Sequence, residues 1–543
     1  MIQFNLIDEK WIPVRRHDGS EIMITPWEVT KEFADNPIVS LNAPRPDFNG
    51  ALIQFLIGLV QTVAAPTNRI EWRQKLNDPP EPEELKAAFM TVHDAFELGG
   101  DGPRFMQDLE KLETEDRHID GLLIDMPGNS TREKNTDHFI KRNTVTCICF
   151  SCCATALFAM QTNAPAGGAG FRTSLRGGGP LSTLIVGDER HNTLWHLLWL
   201  NVLQGDQFLR SCGNALRTAK ADSFPWLAGT RTSESKTGTD TTPEDAYPTM
   251  VFWGMPRRIR LNLDSLNAGM CEICGKQSNL LVNRYQDKNY GMNFAGAWLH
   301  PLSPYSYNKD GLPLPIHAQP GGVSYRHWLG FVQEDSSNQR VPAFIVHEFR
   351  ESRQQRDWQF RLWAFGYDMD NMKARCWYEA KMPLLQIETS LREDYKHYVS
   401  SMITAAVEIS ANVKSAVKKA WFRHPGDKNG DISFLDNIFW QNTESAFYEA
   451  LHGLKTALES SNDAMENRKE WLDSLCREAL KIFDFQAWEG PIEDADPKRV
   501  VIARSELAKF NRSNKIKALL DLPVEQKPND TAAKKAHRRK TLR

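Results

Sequence analysis

Two C-x-x-C pairs, Cys149/Cys152 and Cys271/Cys274, restrict this chain more than any other feature. If both pairs face one ion, two stretches far apart in sequence must meet, and the chain between them must fold as a closed excursion. Two residues between thiolates let one turn present both sulfurs to a tetrahedral ion. Four thiolates then close a structural zinc site with no position left for water. Gly275, directly after the second pair, suits a tight knuckle whose N–H groups turn toward sulfur. Ordinary buried cysteine is the competing reading, and Cys147 and Cys153 compete with Cys149 and Cys152 for the first two positions. A redox dithiol does not fit, because no thioredoxin-like βαβ pattern surrounds either pair. Nine cysteines in 543 residues are too dilute for a disulfide framework, which suits a reducing, cytoplasmic setting.

Charge narrows the partners. The 66 basic and 69 acidic residues give a net charge of -3, so a whole-chain basic field for nucleic acid is excluded and any such grip must be local. At 41% hydrophobic and 25% charged residues the chain is ordinarily globular. No membrane association is expected. Apolar runs such as Ala51 to Val63 are broken by polar residues and fall short of the roughly 20 residues a span needs. The start, Met1 to Asn5, lacks a basic n-region and an apolar h-region.

The pattern predicts an α+β chain in three parts: a large irregular mixed α/β domain over 1–384 with the zinc site, an all-α four-helix bundle over 385–525, and a basic disordered tail over 526–543. Phe4 to Ile7 and Trp11 to Val14, with Asp18-Gly19 and then Ile22 to Thr25, read as an opening hairpin. Ala51 to Ala65 reads as a buried helix, and another follows the Pro-rich Asp78 to Pro82. Residues 120–145 and 225–248 read as a long exposed loop and a second flexible loop. Leu181 to Val186, Ile259 to Leu263 and Ala343 to Val346 read as strands. Beyond Ser390, apolar residues at Leu391, Tyr395, Val399, Met402, Ile403 and Ala406 repeat at helical spacing. Helices are then expected over Phe434 to Leu458, Met465 to Phe483 and Lys498 to Leu520, with Pro497 at a helix start. The run Glu388 to Glu393 reads as a solvated helix face, and the tail Lys534 to Lys540 as a solvated end.

Glycine density marks a second site. Gly167-Gly168-Ala169-Gly170-Phe171-Arg172 is followed by Arg176-Gly177-Gly178-Gly179-Pro180. Glycine permits close backbone approach, and Arg172 and Arg176 offer cations to phosphate. A bare flexible loop is the competing reading. Neither nucleotide fingerprint is present: no G-K-[S/T] closes a P-loop and no strand-borne G-x-G-x-x-G opens a helix. Catalytic constellations are poor. The 14 histidines are scattered without H-E-x-x-H or a nucleophile elbow, and His300 and His347 read as structural. Cys271-x-x-Cys274-Gly275 alone would suit a zinc-dependent HNH-like nuclease, but no close His-His or His-Asn pair follows it.

Read together, these motifs resemble CasA, the large-subunit family of the type I-E CRISPR surveillance complex, Cascade. The resemblance runs through Leu6 to Val14, Cys149-x-x-Cys152, Ala156-Leu157-Phe158, Asn163-Ala164-Pro165, Gly167 to Phe171 and Leu175 to Gly178. It continues through Cys271-x-x-Cys274-Gly275, Ser278-Asn279-Leu280 and Trp298-x-His300-Pro301-x-Ser303-Pro304, over most of the chain. It implies a non-enzymatic, DNA- and RNA-binding role in antiviral defence. The subunit would recognise the short motif beside the target, the PAM, in double-stranded DNA through the minor groove. It would help open the duplex for guide pairing and recruit the helicase-nuclease.

The resemblance also implies site residues. Gly167, Gly168, Ala169 and Gly170, with Arg172 close by, would lie at the minor groove. Lys288 would reach the same groove, and the strand-separating wedge would fall at Asp370, Asn371 and Met372, where relatives often carry glutamine and this chain has Asn371. The structural Zn2+ would be held by Cys149, Cys152, Cys271 and Cys274. The loop Leu123 to Thr146 would meet the 5′ end of the guide CRISPR RNA and the backbone subunits. Partners would include CasC, CasB, CasD and the helicase-nuclease.

Overall fold

Helix Pro46–Val63 is buried on nearly every side, which an amphipathic surface helix never is. Pro46 stands in its first turn, where a missing N–H costs nothing. Phe55, near its middle, meets Trp11, Phe96, Phe105, Phe158 and Trp253 edge to face, at centroid distances from 5.2 to 5.9 Å. Its buried polar residues are all bonded. Gln61 exchanges two hydrogen bonds with the Leu203 backbone, and Gln54 caps the Gly50 carbonyl. A helix surrounded in this way organises the core of the first unit.

The computed structural model describes residues 2–137, 141–168, 170–213, 217–318, 321–336, 338–353, 358–370, 373–424, 426, 431–490 and 496–524. Ala169, Asn371, Met372 and the basic tail lie outside them. The chain divides into two compact units, residues 1–323 with 327–386 and residues 324–326 with 387–543. Among the described residues no helix is long and apolar enough to cross a membrane.

In the first unit the described strands form five three-stranded antiparallel sheets, none large enough to dominate. The opening hairpin pairs Ile12–Arg16 with Glu21–Ile24 around Asp18-Gly19. Phe4 to Ile7 is not a strand; only Asn5 makes an isolated bridge, to Glu97. Two sheets position the site. One joins Ile148–Cys149, Gln277–Val282 and Asn267–Met270, and the other joins Arg117–His118, Arg284–Lys288 and Arg258–Leu261. A third carries the long hairpin Arg361–Asp370 and Lys373–Pro383 beside Ser182–Val186.

Three further expectations are corrected. Ala343 to Val346 is not a strand: Phe344–Glu348 is a helix, with Ile345 and Val346 buried. Residues 225–248 are not a loose loop, because Ser233 and Thr241 are buried and the segment is bonded to Tyr290 and Asn293. The 120–145 loop is not exposed at its start; Asp120, Leu122 and Leu123 are buried and Ile119–Leu122 is a short 3-10 helix.

The second unit contains the helices Arg392–Trp421, Phe434–Glu459, Met465–Gln486 and Pro497–Asn511. The first of them packs against the other three. Asp496 accepts from Lys498 N and Arg499 N, and so starts the last one. Lys498 to Leu520 is not one helix; the chain breaks at Arg512-Ser513 and resumes as Asn514–Leu519. Tyr325 is part of this unit. Its ring stacks on Phe447 at 4.3 Å, and its hydroxyl lies 2.8 Å from Thr443 Oγ1.

Candidate functional site

The four expected sulfurs meet. Cys149, Cys152, Cys271 and Cys274 place their Sγ atoms within 4.8 Å of one another. Cys149 precedes helix Phe150–Asn163 and Cys152 lies in its first turn. Cys271 follows strand Asn267–Met270, and Cys274 precedes Gln277–Val282. The pairing of Ile148 with Val282 and Cys149 with Leu281 brings the two halves together. Gly275 N donates to the Cys271 carbonyl at 2.8 Å and closes the knuckle.

Cys147 and Cys153 stay outside this cluster. The Cys147 thiol lies 3.7 Å from the Met270 carbonyl, and Cys153 is fully buried with its thiol 3.8 Å from the Ile148 carbonyl. The cluster fits a metal. A tetrahedral ion with Zn–S bonds of about 2.3 Å sets its sulfurs about 3.8 Å apart, and Cys149 and Cys274 are 3.8 Å apart. Hydrogen bonding within the cluster pulls Cys271 and Cys274 toward thiolate and pushes Cys149 and Cys152, the donors, toward the thiol. Four soft ligands without an open position suit a structural ion.

Helix Phe150–Asn163 begins at the cysteines and delivers the chain to the glycine turn. Gly167 N donates to the Phe171 carbonyl and Phe171 N to the Gly168 carbonyl, both at 3.2 Å. Phe171 lies beneath two guanidinium groups, Arg257 at 5.0 Å and Arg117 at 5.8 Å from its centroid. Arg257 also donates to the Pro165 carbonyl at 2.5 Å, and burial lowers it to about 10. Gly168 is exposed, and a Cβ built there would meet no atom within 4 Å. Gly170 differs. Its φ is +86°, and a Cβ there would sit 2.6 Å from the Tyr290 ring.

Tyr290 joins the pieces. Its N–H donates to the Gly170 carbonyl at 2.8 Å, and its own carbonyl accepts from Ser233 N at 3.2 Å. Lys288, two residues earlier, is exposed at the end of strand Arg284–Lys288. Lys288 and Tyr290 line a cleft of about 1030 Å³ with Arg117, Arg132, Asp287 and Glu234. Carboxylates predominate in it, because Glu113, Glu115, Asp116 and Asp120 line it as well. Arg117 is paired with Asp287 at 2.5 Å and Arg132 with Asp120 at 2.8 Å. Burial raises the Asp287 carboxyl against the pull of Arg117 and Arg257. Among the described residues no carboxylate pairs with Lys288.

The two arginines of the glycine-rich stretch part company. Arg172 is half-buried and donates to the Ser233 hydroxyl at 2.9 Å and its carbonyl at 3.3 Å, which ties down the neighbouring segment. Arg176 is not a phosphate ligand. It is 2% exposed and bonded to Gln54, Ser182 and Ser303, and burial lowers it to about 10. His300 is also buried, and burial holds it well below its ordinary range, which places it away from any open catalytic surface. Leu123 is 3% exposed, so its side chain points into the fold rather than toward a partner.

Asp370 is exposed at the end of the long hairpin, in register with Lys373. Arg375 holds Asp368 with two bonds at 3.0 Å and lies 3.8 Å from Asp370. Asn371 and Met372, between the paired residues, and Ala169 lie outside the described residues. Sequence reasoning missed Tyr290 and Ser233. Gly291 after Tyr290 was the available turn signal, but nothing in it shows that a tyrosine with φ +62° faces the glycine turn.

Comparisons with known proteins bear on the fold and the family. Solved structures with the same fold include Cse1 of Thermobifida fusca, at 18% identity and TM-score 0.68, covering 96% of this chain and 98% of that one. CasA of Thermus thermophilus matches at 16% identity and TM-score 0.65, covering 94% and 99%. A chain of a CRISPR RNA-guided surveillance complex matches at 15% and 0.66, covering 94% and 100%. The profile of CRISPR-associated protein Cse1 matches residues 5–482. With that match over most of its length, the chain belongs to the CRISPR-associated Cse1 family, also called CasA, of the CRISPR Cascade.

Proposed function

We propose that this chain is the subunit through which a cytoplasmic type I-E Cascade engages its target duplex, by binding rather than by catalysis. The observation that carries this reading is that Tyr290, which lines the same cleft as exposed Lys288, is bonded to Gly170 of the turn on which Gly168 stands exposed. The minor groove is narrow, about 6 Å across, and its code is degenerate. A turn without side chains enters such a groove where a bulkier one does not, and a lysine with no carboxylate partner among the described residues answers its negative potential. Gly167 to Gly170 and Lys288 would then read the PAM. The hairpin ending at Asp370, with Asn371 and Met372, would separate the strands, while base pairing with the guide reads the remaining sequence.

The four cysteines would hold one structural Zn2+. That ion would fix the start of helix Phe150–Asn163 against strand Gln277–Val282, the element that leads through Arg284–Lys288 to Lys288. The metal would therefore set the register of the two reading elements without touching DNA. The loop after Leu123 would meet the guide RNA. The helical unit would serve CasB, CasC, CasD and the helicase-nuclease.

Gly168→Asp tests the reading. The side chain has room in the protein, so the fold is kept while an anion enters the groove. In the assembled, guide-loaded complex, PAM-dependent duplex affinity is expected to fall about tenfold or more, roughly 1.4 kcal/mol. Binding to a matched single strand is expected to hold. Unchanged PAM dependence would remove the glycine turn from the interface.

A further inference from the structure

The second glycine run, Gly177 to Gly179, takes no part in the interface above, yet it is packed more tightly than the exposed Gly168. Gly179 has φ +62°, and a Cβ built on it would run into the Met369 side chain and stand 3.2 Å from the Tyr367 carbonyl oxygen. Gly178 is closed in by other neighbours. A Cβ there would lie 3.1 Å from both the Pro165 Cα and the Ala166 nitrogen. Pro165 and Ala166 are the stem of the glycine turn. Tyr367 and Met369 belong to strand Arg361–Asp370, which ends at the hairpin tip. The triplet thus separates the stem of one element from the strand of the other, and both contacts involve backbone.

Each side of this joint is anchored separately. Gly179 N donates to the carbonyl of Asn163, the last residue of the helix that starts at the cysteines. The Tyr367 hydroxyl donates to Asp47 at 2.5 Å, and Arg45 grips the same carboxylate with two bonds of 3.0 Å. A methyl group on Gly178 needs the Pro165-Ala166 backbone to give by a few tenths of an ångström, and one on Gly179 must displace the Met369 side chain and crowd the Tyr367 carbonyl. At Gly179 the left-handed φ resists a side chain as well.

We propose that Gly178 and Gly179 are positioning residues that set the spacing between the stem of the glycine turn, Pro165-Ala166, and strand Arg361–Asp370, and so couple reading of the duplex to its opening. This rests on the proposed function, because it needs the turn to bind beside the site that is opened. A change in spacing leaves the turn free to read its motif but misplaces the end of the strand, at Asp370, relative to the base pairs to be parted. Unstacking is the step that suffers.

Gly179→Ala and Met369→Ala test the joint from opposite sides, one overfilling it and the other loosening it. In the assembled, guide-loaded complex, both are expected to keep PAM-dependent capture of duplex within about twofold. Opening of the adjacent base pairs, read by 2-aminopurine fluorescence, is expected to slow about tenfold. A duplex with mismatched, already open pairs beside the motif is expected to restore the rate. Opening at the unsubstituted rate in both variants would overturn the inference. Equal loss of capture and opening would overturn it too, since the triplet would then belong to the reading turn itself. If Gly179→Ala does not assemble, Met369→Ala decides alone. An unsubstituted complex that captures duplex without PAM dependence would instead remove the proposed function, and with it the ground for this inference.

Discussion

In the second unit, helix Arg392–Trp421 can be followed by its buried positions alone: Tyr395, Val399, Met402, Ala406, Ile409, Val413 and Val417. In the first unit, no stripe leads from Cys149 to Cys271 or from Gln54 to Arg176, and these contacts bridge long stretches of chain. One unit is held by a repeating apolar face, each step adding a similar small amount. The other has an apolar core around helix Pro46–Val63, but its small sheets and loops are joined at a few polar or metal-suited tie points. Such tie points concentrate stability, and they place irregular segments such as the glycine turn, which periodic packing cannot. The expected cost is fragility at single residues.

The largest effect should therefore come from the cysteines. Cys271→Ser is expected to destabilise the first unit by more than about 3 kcal/mol, because a structural metal contributes folding free energy directly. Hydrogen exchange should rise over Phe150–Asn163 and Gln277–Val282 and hold over Arg392–Trp421. Bound zinc should fall from one ion per chain, whereas Cys147→Ser should leave it in place. Equal loss of protection in both units would break the contrast.

A smaller effect is expected with acid. Burial, with His191 adding to it, lowers His196 to about 4, against an ordinary 6.5. The folded value lies below the unfolded one, so the unfolded chain takes up the proton first. Stability is full above about pH 6.5 and declines by up to about 1 kcal/mol per pH unit toward pH 4. Urea titrations at pH 7.5 and 5 should show this loss for the first unit, and His196→Gln should reduce the slope. A slope unchanged by the substitution would assign the loss to other groups.

The smallest effect belongs to the surface of the helical unit. Arg504 holds Asp484 with bonds of 2.6 and 2.8 Å, but both side chains are close to half exposed. Arg504→Ala is expected to cost less than about 1 kcal/mol, and less still in high salt. A larger, salt-insensitive loss would show that this unit also depends on point contacts.

The same contrast explains what the sequence made legible. Helical spacing from Tyr395 to Ala406 and the Pro497 start translate directly into structure, because they are local and repetitive. The cysteine cluster was also readable, since C-x-x-C spacing carries its own chemistry, although the choice against Cys147 and Cys153 needed the strand register. Arg172 and Arg176 show where reading stops. Four residues apart and flanked by glycine, they look alike, yet one is half-buried against Ser233 and the other lies inside a polar core network. Ala343 to Val346 misled for a related reason: a short apolar run reads equally as strand or buried helix, and tertiary packing chose the helix. Tyr290 was invisible because its role depends on a backbone conformation that tyrosine seldom adopts.

Proximity labelling would test the central claim most directly. Gly168→Cys, with room for its side chain, can be placed in the assembled complex with a duplex carrying a thiol tether in the minor groove at successive base pairs. A disulfide that forms only at the pairs beside the target, and only when the PAM is present, is the predicted result. Cross-linking spread evenly along the duplex, or none at any position while the complex still captures it, would contradict the account.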